Sequence, residues 1–235
     1  MADKPILFSA PMVRAILREI EAPGTGKTQT RRLLRPQPDY RGPSGCMDDY
    51  EEWGWMDDEG GHLSVLDIWP NRLSVGDRFW VREAWRSCKD YDAYPPIGMM
   101  DCPIHYEADG GTAMLGRRRP SIHMPRWASR LTLHVTDVRV QRLQDISEAD
   151  ARAEGLSKVT KDGQLWKFGI PDLDGLPGND DFGWNWTDWK VDARSAFQRL
   201  WDSLNAKRAP WPRNPWVVAV TFRPVLGNID GEGGR

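Results

Sequence analysis

Ala22-Pro23-Gly24-Thr25-Gly26-Lys27-Thr28 is the stretch on which the fold assignment turns. It ends like the phosphate loop of a nucleotide hydrolase, whose pattern is G-x-x-x-x-G-K-[ST]. Gly26-Lys27-Thr28 supplies the end of that pattern, but the position of its first glycine holds Glu21. A carboxylate there would repel phosphates. The context disagrees as well, because a phosphate loop follows a buried strand and opens a helix. Upstream, Val13, Ile16, Leu17 and Ile20 repeat at helical spacing, and Pro11 suits a first helical turn. Downstream, Gln29 to Arg35 reads as a poor amphipathic helix cut off by Pro36. The loop therefore follows a helix, and its glycines read as a flexible helix exit.

Composition narrows the classes. The chain has 235 residues, 40% apolar and 28% charged, which is the profile of a soluble globular protein. A net charge of -2 supplies no global field toward nucleic acid, so such binding would need a local basic patch. Three cysteines without metal spacing, Cys46, Cys88 and Cys102, and no apolar run near the N-terminus lead us to expect a reduced, cytoplasmic protein with no membrane segment. The four histidines, His62, His105, His123 and His134, are too dispersed for a metal site.

The chain carries 13 tryptophans. Such rings fill cores or stack on bases. Trp201 continues a helical stripe with Ala193, Phe197 and Leu200, while Trp80 and Trp216 sit in strand-like runs. Trp53, Trp55, Trp184, Trp186 and Trp189 lie in Gly/Asp-rich stretches and read as surface or cleft rings.

The remaining periodicities predict strands at Pro5–Ser9, Arg78–Trp85, Ile104–Ala108, Arg130–Leu143 (with an irregularity near Asp137) and Trp216–Val225. Ser147 with Asp150 forms a capping box opening a short helix that ends at Glu154-Gly155, and a longer helix runs over 192–205. Five or so strands and a few helices without βαβ alternation give an α+β fold, a small barrel. We expect one domain over 1–226, with long loop insertions at about 36–74 and 157–191, the first of them with room for one hairpin, and a frayed tail over 227–235.

Several blocks carry a resemblance: PILFSAPMVRAIL, GKTQTRR, GDRFWVREAW, RPSIHMPRWASRLTLHVTDVRV, ISEADARAEG, FQRLWDSLN and NPWVVAVTF. In this order they resemble the ASCH domain proteins of the PUA-like superfamily, in the longer form found in phages and prophages. Glu21 to Gly26 looks like a small insertion relative to the family's turn. The resemblance implies a PUA-like β-barrel. It also implies an amidohydrolase cleaving N4-acetylcytidine-like nucleosides to cytidine and carboxylate, without metal or other cofactor. It places the proposed catalytic lysine, threonine and glutamate on Lys27, Thr30 and Glu154, and the motif's closing arginine on Arg32. Other members are discussed as RNA-binding or RNA-cleaving modules.

The residues themselves make that chemistry testable. Thr30 is a nucleophile only if a base takes its proton, and a lysine with a pKa of ~10.4 is neutral in about one molecule in 2,500 at pH 7. Burial and the neighbouring Arg31 and Arg32 would lower that pKa, while an ionised Glu154 would raise it; Glu154 is also a candidate proton donor to the leaving amine. If the chain is extended from Thr30 onward, Thr30 and Arg32 share a face, whereas Lys27 reaches Thr30 only across a turn. The bland alternatives are a solvated Lys27, a capping Thr30 and a Glu154 paired with an arginine. A second constellation runs over 117–127, where Arg126 and Trp127 are candidates to stack on a base and Arg117 to Arg119 to meet phosphate. It reads equally as a solvated loop with Trp127 plugging the barrel. Arg82, mid-strand, either faces outward, pairs, or points into a cleft mouth. The expected partners are a modified cytidine nucleoside and, in the alternative, RNA.

Overall fold

A computed structural model of the protein describes residues 2–38, 40–43, 51–56, 62–64, 73–96, 99, 102–110, 116–178 and 182–231. A five-stranded sheet organises it. We number the strands β1 (Asp3–Leu7), β2 (Gln29–Leu33), β3 (Tyr40–Pro43), β4 (Glu51–Met56), β5 (His62–Ser64), β6 (Arg78–Arg82), β7 (Trp85–Arg86), β8 (His105–Tyr106), β9 (Leu131–Arg142), β10 (Ser157–Thr160), β11 (Trp166–Gly169) and β12 (Trp216–Leu226). The helices are α1 (Ala10–Glu21), α2 (Glu148–Ala153) and α3 (Ala193–Asn205).

The main sheet has the order β1-β6-β9-β12-β2, with β1 and β6 parallel and the other neighbours antiparallel. The fold is thus mixed α+β around a sheet core. A closed barrel is not formed among the described residues, since β1 and β2 are the two edges of an open sheet. One side chain nevertheless spans the seam: Arg32 on β2 donates to the Leu7 carbonyl of β1 at 2.8 Å.

The alternation of β9 was legible in the sequence, and so was its irregularity. Thr221 faces Asp137 and Phe222 faces Val135, so Thr136 is the extra residue of a bulge. Of the stretch 29–35, which reads as a poor amphipathic helix, Gln29–Leu33 is instead the edge strand β2, paired with β12 from Val217 to Thr221. Its buried residues are the polar Gln29, Thr30 and Arg31, so no apolar period betrays the strand. The first insertion holds the three-stranded antiparallel sheet β3-β4-β5 rather than a single hairpin. Trp53 and Trp55 fall in β4, where side chains lie outside the described residues. The second insertion contains the β10-β11 hairpin. Trp189, expected at a surface or cleft, is buried, with its Nε1 donating to the Trp184 carbonyl at 3.0 Å. Trp201 joins the core as its helical stripe requires. The tail does not fray over 227–231: Ile229 is buried, and the Asn228 amide donates to the carbonyls of Arg126, Trp127 and Ser129.

Both later helices start as the sequence indicates. The Ser147 hydroxyl accepts from the Asp150 N–H at 3.0 Å, and the Asp192 carboxylate accepts from the Ser195 N–H at 2.7 Å. Helix α1 buries Met12, Val13, Ala15 and Ile16.

The stretch 22–28 is not a flexible exit. Glu19, in the last turns of α1, folds its carboxylate back onto the loop. Its oxygens accept from the Gly24 N–H at 2.9 and 3.0 Å and from the Gly26 N–H at 2.8 Å. Arg18 donates to the Thr25 carbonyl at 2.9 Å. The loop amides therefore do bind an anion, but it is the protein's own.

The two glycines serve different needs. Gly24 has φ +86° and open space around it, whereas a Cβ on Gly26 would stand 2.3 Å from the Ala15 carbonyl oxygen and 2.4 Å from the Glu19 nitrogen. Gly26→Ala is expected to cost about 3 kcal/mol through this backbone clash. Gly24→Ala should cost about 1 kcal/mol from its left-handed conformation alone. In thermal unfolding that corresponds to losses of roughly 6–12 °C and 2–4 °C. Equal losses would show that the close approach at Gly26 does not govern the loop.

Candidate active site

Three segments converge at Lys27. Its N–H donates to the Ala15 carbonyl of α1 at 2.9 Å, and the next N–H, of Thr28, donates to Ala153 of α2 at 2.9 Å. Lys27 and Glu154 thereby face one another as an isolated antiparallel bridge. This fixes both backbones before the side chains meet. The Lys27 ammonium, 1% exposed, donates to Glu154 Oε2 at 2.8 Å and to the Glu154 carbonyl at 2.7 Å. The Phe8 ring, just past β1, lies 5.6 Å from Nζ.

The other carboxylate oxygen is also taken. Arg31 Nη1 donates to Glu154 Oε1 at 3.0 Å, and its Nη2 donates to Asp150 Oδ2 at 3.1 Å. Asp150 accepts further from Gln29 and Arg139. The result is a buried chain Lys27–Glu154–Arg31–Asp150, extended to Arg139 at the surface. Asp150 and Glu154 lie four residues apart around α2, one helical turn, so they share a face. That spacing was available in the sequence, as was the alternation that puts Gln29 and Arg31 together on β2. Asp150 and Arg31 went unrecognised as members of the site because charged residues are normally read as solvent-facing.

Electrostatics follow from burial. Desolvation pushes the Lys27 amine below its ordinary pKa; Glu154 opposes this by charge and hydrogen bond, while Arg32 and Arg31 reinforce it. Burial alone would raise the Asp150 carboxyl, but the hydrogen bonds from Arg139 and Gln29 and the charges of Arg31 and Arg139 outweigh it, and it lies below the usual carboxylate range.

Lys27, Thr30, Arg31, Arg32 and Glu154 line one cavity of about 400 Å³, which also takes in Arg35 and Arg208 and is walled by Phe8, Met12, Phe197 and Trp201. Thr30 is buried on β2, opposite Val220 of β12. Because β2 is extended, Thr30 and Arg32 share the face away from Arg31. The Arg32 guanidinium, solvent-accessible, lies 5.2 Å from the centre of the Phe8 ring. The structure therefore brings together Lys27, Thr30, Glu154 and Arg32.

It does not bring Arg82, Arg126 or Trp127 into that cavity. Arg82 lies over Trp80 at 5.2 Å and donates to the Ile122 carbonyl. Arg126 is gripped by Asp230 at 2.6 Å and Asp3 at 2.7 Å. Asp3 opens β1 while Phe8 follows its end, an advance of about 16 Å along the strand. Trp127 packs edge-on against the buried Trp85, with ring centres 6.5 Å apart.

Among the described residues no group of three or more His, Cys, Asp or Glu side chains is placed to hold a metal, and no helix is long and apolar enough to cross a membrane.

The buried chain makes a stability prediction. Glu154→Ala strands two buried cations at once and is expected to cost about 3–5 kcal/mol in chemical denaturation. Lys27→Met leaves Glu154 with Arg31 and should cost clearly less. A larger loss for Lys27→Met would refute the view that Glu154 is the centre of the cluster. No protein-family model, curated protein or solved structure matches the chain, so what the site does must be argued from its own residues.

Proposed function

We propose that the protein is an amidohydrolase that removes the acyl group from N4-acylated cytosine nucleosides, and that its curled sheet is a variant of the PUA-like fold of ASCH domains. The observation that carries the reading is the buried Lys27, held by Glu154 in a cavity that the hydroxyl-bearing Thr30 also lines and that has an aromatic wall. The charged residues of the cavity lining are cationic apart from Glu154, a set that disfavours a divalent metal and suits a reaction run by protein groups alone.

In this mechanism Thr30 Oγ1 attacks the acyl carbon and its proton passes to Lys27 Nζ. A neutral amine has two N–H donors and a lone pair. Both donors are used on Glu154, which leaves the lone pair to accept. The Arg32 guanidinium stabilises the developing oxyanion. The carbon–nitrogen bond then breaks, and Lys27 returns the proton to the departing N4 amine. Water, deprotonated by Lys27 in turn, attacks the threonyl ester; its acyl carbon–Oγ1 bond breaks, Lys27 returns the proton to Thr30 Oγ1, and the acyl group leaves as the carboxylic acid, which ionises to carboxylate. Glu154 was a candidate proton donor, but both its oxygens already accept from Lys27 and Arg31. Its part here is to hold Lys27 in place. The alternative of base recognition by Arg126 and Trp127 loses support, since Arg126 is engaged by two carboxylates.

The test is conversion of N4-acetylcytidine to cytidine, followed by ultraviolet absorbance in EDTA. Thr30→Val keeps the shape and removes the nucleophile, so it should abolish turnover; Lys27→Met should lower it by about 10²–10⁴-fold. Turnover that survives Thr30→Val would overturn the assignment, as would no conversion by the wild-type protein at high concentration.

A further inference from the structure

The cavity is more cationic than deacylation requires. Lys27 and Arg31 are consumed by Glu154 and Asp150, and Arg32 is placed for the acyl oxygen. Arg35 and Arg208 are left. Both line the same cavity, both are exposed, and neither has a carboxylate within ion-pairing distance among the described residues. They are two guanidinium groups, without a carboxylate partner among the described residues, on the lining of one cavity.

Their placement is specific. Arg35 leaves β2 two residues after its end, and Arg208 sits three residues past the end of α3. They approach the mouth from two different elements, with Leu200 and Leu204 of α3 also on the lining. A cation just past a helix C-terminus gains a little from the helix dipole, which accounts for Arg208 in part but not for Arg35.

Resting on the amidohydrolase reading, we infer that the substrate is a nucleotide rather than a nucleoside, with its terminal 5′-phosphate received by Arg35 and Arg208. In a cytosine nucleotide the exocyclic N4 and the 5′-phosphate lie at opposite ends. An N4-acyl group at Lys27 and Thr30, in the buried part of the cavity, directs the phosphate outward to the rim. The base and sugar then lie along Phe8, Phe197 and Trp201. The volume of about 400 Å³ is within the range of pockets for ligands of this size. Guanidinium groups are suited to phosphate because their planar donors match its oxygens.

The experiment measures binding and turnover separately, in EDTA. Cytidine, cytidine 5′-monophosphate and a short oligocytidylate are titrated by calorimetry into the wild-type protein, Arg35→Gln, Arg208→Gln and the double variant. Hydrolysis of N4-acetylcytidine and of its 5′-monophosphate is followed in parallel. We expect the monophosphate to bind at least tenfold more tightly than cytidine, the ratio to shrink with added salt, and each substitution to reduce it by about tenfold. Equal binding of cytidine and its monophosphate overturns the inference, and so does tighter binding of the oligocytidylate, which would assign the rim to a polymer backbone. Equal hydrolysis of both acyl compounds overturns the phosphate subsite and leaves the amidohydrolase reading standing. A monophosphate preference that depends on both arginines, with neither acyl compound hydrolysed, supports the subsite and removes the amidohydrolase reading.

Discussion

The Lys27–Glu154 ion pair is the constraint around which the rest of the site is arranged. Two ions of opposite charge are withdrawn from water, an arrangement whose desolvation cost can exceed the Coulomb gain. It is tolerable here because neither ion depends on the other alone. Glu154 has Arg31 on its second oxygen, and Lys27 has the Glu154 carbonyl as a second acceptor. The backbone bridge between the same two residues holds the geometry whether or not the charges are present. Such clusters are weak contributors to stability and strong determinants of position. That is the property a site needs when it must keep an amine both buried and accessible from a cavity.

The loop preceding Lys27 shows how a motif is disarmed by its own chain. Backbone amides at Gly24 and Gly26 are arranged to receive an anion, as the amino-acid pattern suggests. Glu19, rather than a phosphate, fills the place. Its carboxylate is supplied from the end of α1, so the occupant belongs to the chain itself. The gain is a rigid approach to Lys27, whose own N–H continues onto Ala15. The phosphate-loop resemblance and the rigid placement of the lysine have the same physical origin in this turn of backbone.

Much of the fold could be read from local signals. The period-2 run of β9, the bulge opposite Phe222, and the cap at Ser147 are short-range effects, and each was expressed in adjacent residues. The edge strand β2 was missed because its buried side chains are polar, so burial and hydrophobicity part company there. The site was legible in part. Lys27, Thr30, Arg32 and Glu154, each singled out in the sequence, line one cavity, yet nothing in the sequence marked Arg31 and Asp150 as completing the cluster. Nor could it reveal the partners of Arg126: Asp3 and Asp230 are 123 and 104 residues away in the chain. Pairings at such separations are set by the register of the whole sheet and leave no trace in a local window.

The central claim is that Lys27 is a buried amine whose pKa is depressed by desolvation and restrained from falling further by Glu154. Titration of the lysine side chains by NMR, with Lys27 assigned through Lys27→Met, measures this directly. The account predicts that Lys27 titrates below the ordinary 10.5 in the wild-type protein, and at a still lower pH in Glu154→Gln, where the opposing charge is gone. A Lys27 that titrates at or above 10.5, or that shifts upward in Glu154→Gln, would contradict it.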